Sequence, residues 1–393
     1  MKAIIAGAGI AGPVAAIALQ EIGVEAELFE ARDALDGDEG LFLTLASNGH
    51  RVLDALGLDA FIRAEPHIPT PRIAFLGAQG SRLGTVSNGR STTGAPITLM
   101  RRSLHRALSV EAERRGIAVR RGCAVTGYRQ DANGVTVHCA DGHEQRADIL
   151  IGADGIGSKV RAAMPGGKIS PSYTGLINLG GILPGSRLAP TTGEMRMIWG
   201  SRAFFGYAVR DNGEAWWFAN IGDAREPLRS EMHKGQDVWA EQLTVLFAGD
   251  LPLIRDLIRR TPEIHAYPIH DLPHVPRWCD ERVVLIGDAA HATSPSSGQG
   301  ASLALEDAAF LAVCLRDIAD PATALARFEA ERRPRAEQIV AEGRRRGAYK
   351  APRSSAQMWL RDALMPVIFR FFVTEQSLAW IHDYRVPCSA ARP

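Results

Sequence analysis

The sequence lacks a long apolar run. None of its uncharged apolar stretches reaches the ~18 residues that a membrane-spanning helix requires. The nearest approach, Leu364 to Val373, is shorter and carries Arg370. The apolar start of the chain, MKAIIAGAGIAG, is interrupted by glycines, which argues against a signal peptide. We therefore expect no transmembrane segment and no secretion signal.

A strong charge of one sign is also missing. The formal net charge is +1, so no long-range field favours nucleic acid or an anionic membrane surface. The basic stretch Arg344-Arg345-Arg346, with Lys350 and Arg353, stands near a predicted helix end, where the helix dipole stabilises cations. We interpret this stretch as a solvated face and expect no nucleic-acid partner.

Cysteine is scarce and scattered. The five cysteines include no CxxC pair, a distribution typical of neither a zinc site nor a disulfide framework. They are Cys123, Cys139, Cys279, Cys314 and Cys388. The sequence therefore predicts reduced thiols in a cytoplasmic protein, without a metal site.

A pattern of short buried strands and helices is present instead. Lys2 to Ala6 and Glu25 to Phe29 are strand patterns on either side of a helical stretch from Ile10 to Ile22, which together predict a βαβ unit. Two further buried strands are predicted at Ala147 to Ile151 and at Arg282 to Ile286. The predicted buried strands therefore come from both the N-terminal and the C-terminal part of the chain.

The central region has a different pattern. Between Tyr173 and Ile221, apolar alternation predicts a mainly antiparallel sheet with Asp211-Asn212-Gly213 as a hairpin turn. The predicted fold class is α/β: a discontinuous Rossmann-like domain, an inserted mainly antiparallel β-sheet domain, and C-terminal helices. The predicted bounds are 1–70, 95–168 and 275–346 for the Rossmann-like domain, 71–94 and 169–274 for the inserted domain, and 347–393 for the C-terminal helical segment.

The first motif is Gly7-Ala8-Gly9-Ile10-Ala11-Gly12, between the first predicted strand and helix. There, glycines permit a tight turn and let a pyrophosphate approach the positive helix end. Glu30 ends the next strand, where its carboxylate suits an adenosine ribose and repels a 2′-phosphate. This context favours FAD or NAD over NADP at this site, and over a purely structural turn.

The second motif runs from Gly152 to Arg161. A strand delivers Asp154 to a helix start, with Ser158 and Arg161 one turn apart on the same helical face. Asp154 is either part of a binding site or an N-cap beside a solvated Arg161. The segment by itself does not separate these interpretations.

The third motif is LIGDAAHATSPSSGQGASLALEDAAFLA, residues 285–312. Asp288 follows a strand, where its carboxylate could hold a polyol hydroxyl. A helix that begins near Gly298 offers unpaired N–H groups and a positive dipole end. Negative charge that develops on a reduced flavin suits this end, whereas nicotinamide becomes neutral on reduction.

These three motifs, in this order and at these separations, resemble the flavin-dependent aromatic hydroxylases, single-component FAD monooxygenases with the fold of p-hydroxybenzoate hydroxylase. Two further segments match, Met100 to Leu104, whose Arg-x-x-Leu places Arg101 near the FAD, and Phe328 to Ala336. The resemblance covers roughly residues 1–346. It implies bound FAD, transient NADPH or NADH, and O2 that reacts through a C4a-hydroperoxyflavin.

The resemblance also implies a substrate and a set of cofactor contacts. The substrate would be a small aromatic or polycyclic compound that becomes hydroxylated. A prenyl-lipid-type reductase and a catalytically silent flavoprotein remain alternatives, and a homodimer is compatible with the sequence. The implied cofactor-binding residues are Gly7, Gly9, Ile10, Ala11, Gly12, Glu30, Ala31, Arg32, Arg101, Asp154, Asp288, Pro295, Gly298, Gln299, Gly300 and Ala301.

The motifs identify no catalytic residue. Tyr207 and Arg210, in AFFGYAVR, are weak candidates for a phenolic substrate, although strand alternation puts them on opposite faces. His291 could act as a base or be a histidine held by its surroundings. Trp199, Trp217 and Phe205 line a pocket or belong to the sheet core. The acidic stretch Asp33 to Glu39 leaves the nicotinamide preference open.

The apolar segment Trp359 to Trp380 has several interpretations. Packing of helices against the body, a pocket lid, a dimer contact and a membrane-surface contact all fit the sequence.

Overall fold

A computed structural model describes residues 1–34, 41–89, 94–348, 350, 355–371 and 373–387. The strands, in chain order, are β1 (Lys2–Ala6), β2 (Glu25–Phe29), β3 (Phe42–Leu45), β4 (His67–Pro69), β5 (Arg72–Gly77), β6 (Arg82–Ser87), β7 (Ile97–Met100), β8 (Ala118–Arg120), β9 (Val125–Asp131), β10 (Gly134–Cys139), β11 (Glu144–Ala147), β12 (Ile149–Gly152), β13 (Ser172–Leu183), β14 (Glu194–Trp199), β15 (Phe204–Val209), β16 (Ala215–Gly222), β17 (His265–Asp271), β18 (Cys279–Asp280) and β19 (Val283–Leu285). The helices are α1 (Ala11–Glu21), α2 (Ser47–Ala55), α3 (Asp59–Arg63), α4 (Arg101–Arg114), α5 (Lys159–Ala163), α6 (Arg229–Met232), α7 (Gln236–Leu246), α8 (Pro252–Arg260), α9 (Asp288–His291), α10 (Gly300–Asp317), α11 (Pro321–Ala348), α12 (Ser355–Phe371) and α13 (Glu375–His382).

A six-stranded sheet brings the three motifs together. Its strand order is β18-β19-β12-β1-β2-β8, and β1 pairs in parallel with both β2 and β12. Residues Ala3 to Ala6 are buried, as expected for a parallel strand covered on both faces. Because parallel strands end at the same edge, the segments that follow β1, β2, β12 and β19 meet there. The predicted βαβ unit is confirmed.

A seven-stranded sheet, ordered β17-β13-β16-β15-β14-β5-β6, forms the second layer. Its pairings are antiparallel except that of β14 with β5, and the predicted turn between β15 and β16 has Gly213 at φ +82°. One face packs on α7 and α8 in a core that contains Phe205, Trp217 and Phe247. The predicted mixed α/β class, with a mainly antiparallel second sheet, is confirmed. The domain bounds remain a prediction.

Long helices complete the body. α10 packs on α1 and α11, and α12 lies on β6. Phe369 of α12 also stacks on Phe75 of β5, with ring centroids 4.9 Å apart. On α12, Leu360, Leu364 and Val367 are exposed. Within the part of the chain that the structure describes, no helix is long and apolar enough to cross a membrane.

Two of the cysteines correct a prediction. Cys123 and Cys139 form a disulfide, because the β9–β10 hairpin carries the end of β10 back beside the residues before β9. The two cysteines are 16 residues apart in the sequence, so no local pattern indicated that they are close in space. The expectation of reduced thiols was wrong for this pair. Cys279 and Cys314 are free, and Cys388 lies outside the described residues.

The basic stretch is also less solvated than predicted. The Arg344 guanidinium donates two hydrogen bonds, both 2.6 Å, to the buried carboxylate of Asp271. Arg345 and Arg346 pair with Glu342 on the same helix. Ion pairing therefore ties this end of α11 to β17. Arg353 and residues 35–39 of the acidic stretch lie outside the described residues.

Candidate functional site

The glycine-rich turn after β1 depends on close backbone contacts. A Cβ on Gly12 would lie 2.0 Å from the Gly7 carbonyl oxygen, and one on Gly7 would lie 2.5 Å from the Ala153 oxygen. Gly7 also has φ +99°, which side chains disfavour. Gly9 has no atom within 4 Å of its Cβ position, so its outer face is open. Gly7 and Gly12 therefore allow close backbone packing, and Gly9 leaves open space at the surface of the turn.

Glu30 is held beside this turn. Its carboxylate accepts hydrogen bonds from the backbone N–H groups of Ala8 (2.8 Å) and Arg32 (3.0 Å). His105, which the motifs did not reveal, supports the turn from α4 through a 2.7 Å hydrogen bond between Nε2 and the Ala8 carbonyl. Its position four residues after Arg101, on the same face of a helix, was the available signal.

The second motif contains a helix cap. The Asp154 carboxylate accepts hydrogen bonds from the N–H groups of Lys159 (2.7 Å) and Val160 (3.1 Å) and from the Ser158 hydroxyl (2.5 Å). Arg161 is buried rather than solvated, and it donates to the carbonyls of Ala289 (2.8 Å) and Ile156 (2.6 Å). This arginine thereby joins the second motif to the third.

A buried ionic cluster fixes the third motif from behind. Asp307 accepts hydrogen bonds from the Gly287 N–H (2.9 Å) and Arg332 Nε (2.8 Å), and lies 2.5 Å from His291 Nε2. Burial alone would raise the pKa of Asp307, but the charges of His291 and Arg332 outweigh it and lower that pKa to about 2. His291 is thus a buried support and not a base open to substrate.

The front of the third motif has free polar groups. Within the described residues, the Asp288 carboxylate has no hydrogen-bond partner, and neither do the buried hydroxyls of Thr293 and Ser296. The 18-residue helix α10 begins beside them at Gly300, so its first N–H groups and positive dipole end face the same space. Gly298, at φ +65°, turns the chain into this helix.

These groups border a cavity of about 1630 Å³ between the motif edge and the second sheet. The predicted residues that line it are Gly9, Ile10, Ala11, Arg101, Asp288, Pro295, Gly298, Gln299, Gly300 and Ala301. Among the described residues, the lining does not include Gly7, Gly12, Glu30, Ala31, Arg32 or Asp154. Gly7, Gly12 and Asp154 contribute through backbone packing and capping, and Ala31 and Arg32 are exposed.

Comparison with known proteins decides the family. Residues 1–343 match a family model described as "FAD binding domain". The chain is 33% identical over 372 residues to the aurachin C monooxygenase/isomerase of Stigmatella aurantiaca, covering 93% of this chain and 94% of that protein. This chain belongs to the FAD-dependent aromatic hydroxylase family.

Other members of the family are similar over nearly the whole chain. The 3-amino-4-hydroxybenzoate 2-monooxygenase PtnB3 of Streptomyces platensis is 31% identical, covering 97% of this chain and 95% of that protein. The crystal structure of Klebsiella pneumoniae HpxO complexed with FAD and uric acid superposes with a TM-score of 0.83 at 26% identity, covering 97% of both chains. The chain is therefore a flavoprotein monooxygenase with FAD as its cofactor.

The cavity fits that cofactor chemically. A polyol chain needs a free acceptor such as Asp288, a pyrophosphate needs an open glycine turn such as that at Gly9, and a reducible ring edge needs unpaired donors such as the start of α10. The free hydroxyls of Thr293 and Ser296 add polar contacts to the same lining.

The weak catalytic candidates of this hydroxylase lie elsewhere. Tyr207 is buried in the core on the far face of the second sheet, with Arg196 Nη1 3.2 Å from its hydroxyl, and Arg210 pairs with Glu214 beyond the end of β15. Neither is among the lining residues described. Strand alternation did not show which face of β15 borders the cavity; its odd positions, including Tyr207, face the helices. Phe205 and Trp217 are core, whereas Trp199 lines the cavity.

Sequence reasoning missed the polar lining on the second sheet. Asn178, Asn220 and Tyr267 come from three neighbouring strands, and Lys350 reaches them from beyond α11. The Lys350 ammonium lies in the cavity, so its assignment to a solvated face was wrong. Nothing in the local sequence marks these residues, since their proximity depends on strand register.

Proposed function

We propose that this monooxygenase hydroxylates an aromatic or polycyclic small molecule, using NADPH or NADH and O2. The observation that carries the proposal is the cavity of about 1630 Å³, which has backbone and polar groups suited to FAD on one side and aromatic side chains on the other. FAD, when bound, supplies a ring that accepts electrons from the nicotinamide and reacts with O2, so that one oxygen atom enters the substrate and the other leaves as water.

On the cofactor side, this chain's residues bind and orient. The Asp288 carboxylate would accept hydrogen bonds from the polyol hydroxyls of FAD, and Glu30, already fixed by two backbone N–H groups, would accept one from its adenosine ribose. The first N–H groups of α10 would stabilise negative charge on the bound flavin. Arg161, Asp307 and His291 hold these segments in position from behind.

On the opposite side, part of the lining is aromatic. Phe75, Trp199 and Phe369 form a stacked group, with ring centroids 4.9 Å apart for Phe75 with each of the others. A flat substrate stacks well on such a surface. The names of the relatives agree with this shape, since 3-amino-4-hydroxybenzoate and uric acid are both flat ring compounds.

The test is substrate-stimulated oxidation of NADPH and of NADH by the FAD-loaded protein across phenols, aromatic acids, purines and quinolones, with product mass. We expect at least one compound to stimulate both nicotinamide and O2 consumption and to gain one oxygen atom. A yellow protein that no compound stimulates would instead be a silent flavoprotein. A product that gains two hydrogens would indicate a reductase.

A further inference from the structure

A row of paired side chains crosses the cavity face of the seven-stranded sheet. The strand register pairs Asn178 with both Tyr267 and Asn220, pairs Asn220 with Phe204, and pairs Phe204 with Trp199. Directly paired residues share a face of a sheet, and all five line the cavity. The row is therefore polar at one end and aromatic at the other, which suits a ring that carries a polar substituent.

The hydrogen bonds of the polar end all run in one direction. Lys350 Nζ donates to Asn220 Oδ1, Asn220 Nδ2 donates to Asn178 Oδ1, and Asn178 Nδ2 donates to the Tyr267 hydroxyl oxygen, each over 2.7 Å. A lysine ammonium has no acceptor, so it fixes the orientation of both amides. The Tyr267 oxygen accepts at the end of this chain, which leaves its O–H proton for a partner in the cavity.

Lys350 also lies where an anion would be stabilised. Its Nζ is 4.6 Å from the centroid of Phe204 and 5.7 Å from that of Phe218, and within the described residues no carboxylate pairs with it. Burial, reinforced by the charge of Arg346, lowers the pKa of Lys350 to about 7. Tyr267 ends the row and Lys350 lies beside Asn220 and Phe204, and both offer protons, so oxygen acceptors complement the polar part of the row.

We propose that Tyr267 and Lys350, the two ends of the hydrogen-bond chain through Asn178 and Asn220, bind oxygen acceptors of the substrate, with an anionic oxygen at Lys350, so that the enzyme takes aromatic compounds bearing a carboxylate or an ionised hydroxyl. This inference rests on the proposed hydroxylation only in treating the ligand as a substrate. The aromatic end of the row receives the ring, and the donor end sets which edge of the ring points away from Trp199.

The test measures ligand dissociation constants from the change in flavin absorbance of the FAD-loaded protein. One arm compares 3-amino-4-hydroxybenzoate with its methyl ester, and the other compares 4-nitrophenol with 4-nitroanisole. Because a hydrogen bond to a charged group is strong, we expect an anion preference of about tenfold or more in at least one arm. The arm that shows it distinguishes a carboxylate substrate from an ionised hydroxyl.

Two substitutions assign the preference to these residues. Lys350→Met removes the charge at similar length and should lower the anion preference at least about fivefold, while Tyr267→Phe should weaken binding of the anion several-fold. Lys168→Met and Tyr128→Phe are matched controls, since Lys168 is exposed and Tyr128 bonds to Asp280 outside the cavity lining described. FAD content and circular dichroism verify that each variant is folded.

The outcomes separate this inference from the proposed function. An unchanged anion preference in a folded, FAD-loaded Lys350→Met variant would overturn the inference even if the wild-type enzyme hydroxylates a substrate. Absence of any anion preference in the wild-type protein would overturn it as well. A preference that depends on Lys350, together with no oxygenated product from any compound, would uphold the binding site and reject the hydroxylation.

Discussion

The two sides of the cavity are built from different parts of the chain. The backbone wall consists of the turn Gly7–Gly12, the segment Ala153–Gly155 and the segment Gly287–Gly300, where main-chain atoms and glycines shape the surface. The side-chain wall consists of the cavity-facing residues of β5 and β13–β17, together with Lys350 and Phe369. The family model is an FAD binding domain, whereas the names of the relatives point to different substrates. A wall made of backbone suits the constant partner, and a wall made of side chains suits the variable one.

The largest effect is expected from a substitution that breaks the backbone wall. Gly12→Ala places a Cβ 2.0 Å from the Gly7 carbonyl oxygen, a clash with main chain that cannot rotate away. We expect a loss of about 3 kcal/mol or more in the free energy of unfolding, together with loss of bound FAD. Thermal unfolding and the flavin-to-protein absorbance ratio measure both quantities.

Gly9→Ala is the matched control for that substitution. Its Cβ would meet no protein atom within 4 Å, so stability should change by less than about 1 kcal/mol. FAD retention should still fall, because the new methyl group occupies space at the cavity lining. Equal destabilisation by both substitutions would contradict the assignment of Gly12 to backbone packing and of Gly9 to the cofactor space.

The backbone wall was predictable from the sequence because it depends on glycines, and the same dependence makes it sensitive to substitution. Close approach between main-chain segments requires glycine, so Gly7, Gly12, Gly287 and Gly298 mark it directly in the letters. Parallel strands then bring the three motifs to one edge without further information. The sequence did not show whether Asp154 binds a ligand or caps a helix beside a solvated Arg161, because a carboxylate at that position suits either role.

The side-chain wall was not predictable, because it depends on register. Nothing in the local sequence distinguishes Tyr207 from Asn220 as a residue of the cavity, yet Tyr207 faces the helices and Asn220 faces the cavity. A one-residue shift of a strand would exchange these faces. The partners of Asn178 are 42 and 89 residues away, so no local pattern connects them. The disulfide between Cys123 and Cys139 was missed for the same reason.

The second prediction concerns the free carboxylate on the backbone wall. Asp288→Ala should weaken FAD binding about ten- to hundredfold, as expected for loss of charge-assisted hydrogen bonds, while the unfolding temperature of the FAD-free protein stays unchanged. FAD titration by fluorescence measures the affinity. Asp237→Ala, on the exposed side of α7, is the control. Normal FAD retention in Asp288→Ala would reject the assignment of this residue to the polyol chain.

The third prediction tests the aromatic end of the side-chain wall. Trp199→Ala removes a ring that stacks on Phe75 in the cavity lining. We expect the KM for an aromatic substrate to rise about five- to twentyfold because stacking area is lost. FAD affinity should not change, since Trp199 belongs to the other wall. A parallel loss of FAD would show that the two walls do not act separately.

The smallest effect is expected from pH, acting through Lys350. The pKa of about 7 belongs to the folded protein, so the ammonium is mainly charged below pH 7 and mainly neutral above it. A carboxylate probe stays ionised throughout this range. Its affinity should therefore be highest below pH 7 and fall by up to about tenfold by pH 8, with the neutral amine still able to donate a hydrogen bond.

Other groups near Lys350 are not expected to produce this profile. Arg346 forms an ion pair with Glu342. The side chains of Phe204, Phe218 and Asn220 carry no ionisable group, and burial lowers the pKa of His382 to about 4. The same titration on Lys350→Met should be flat between pH 6 and 8. If the pH profile persists in that variant, the titrating group lies elsewhere in the cavity. Lys350 would then not be the source of the pH dependence.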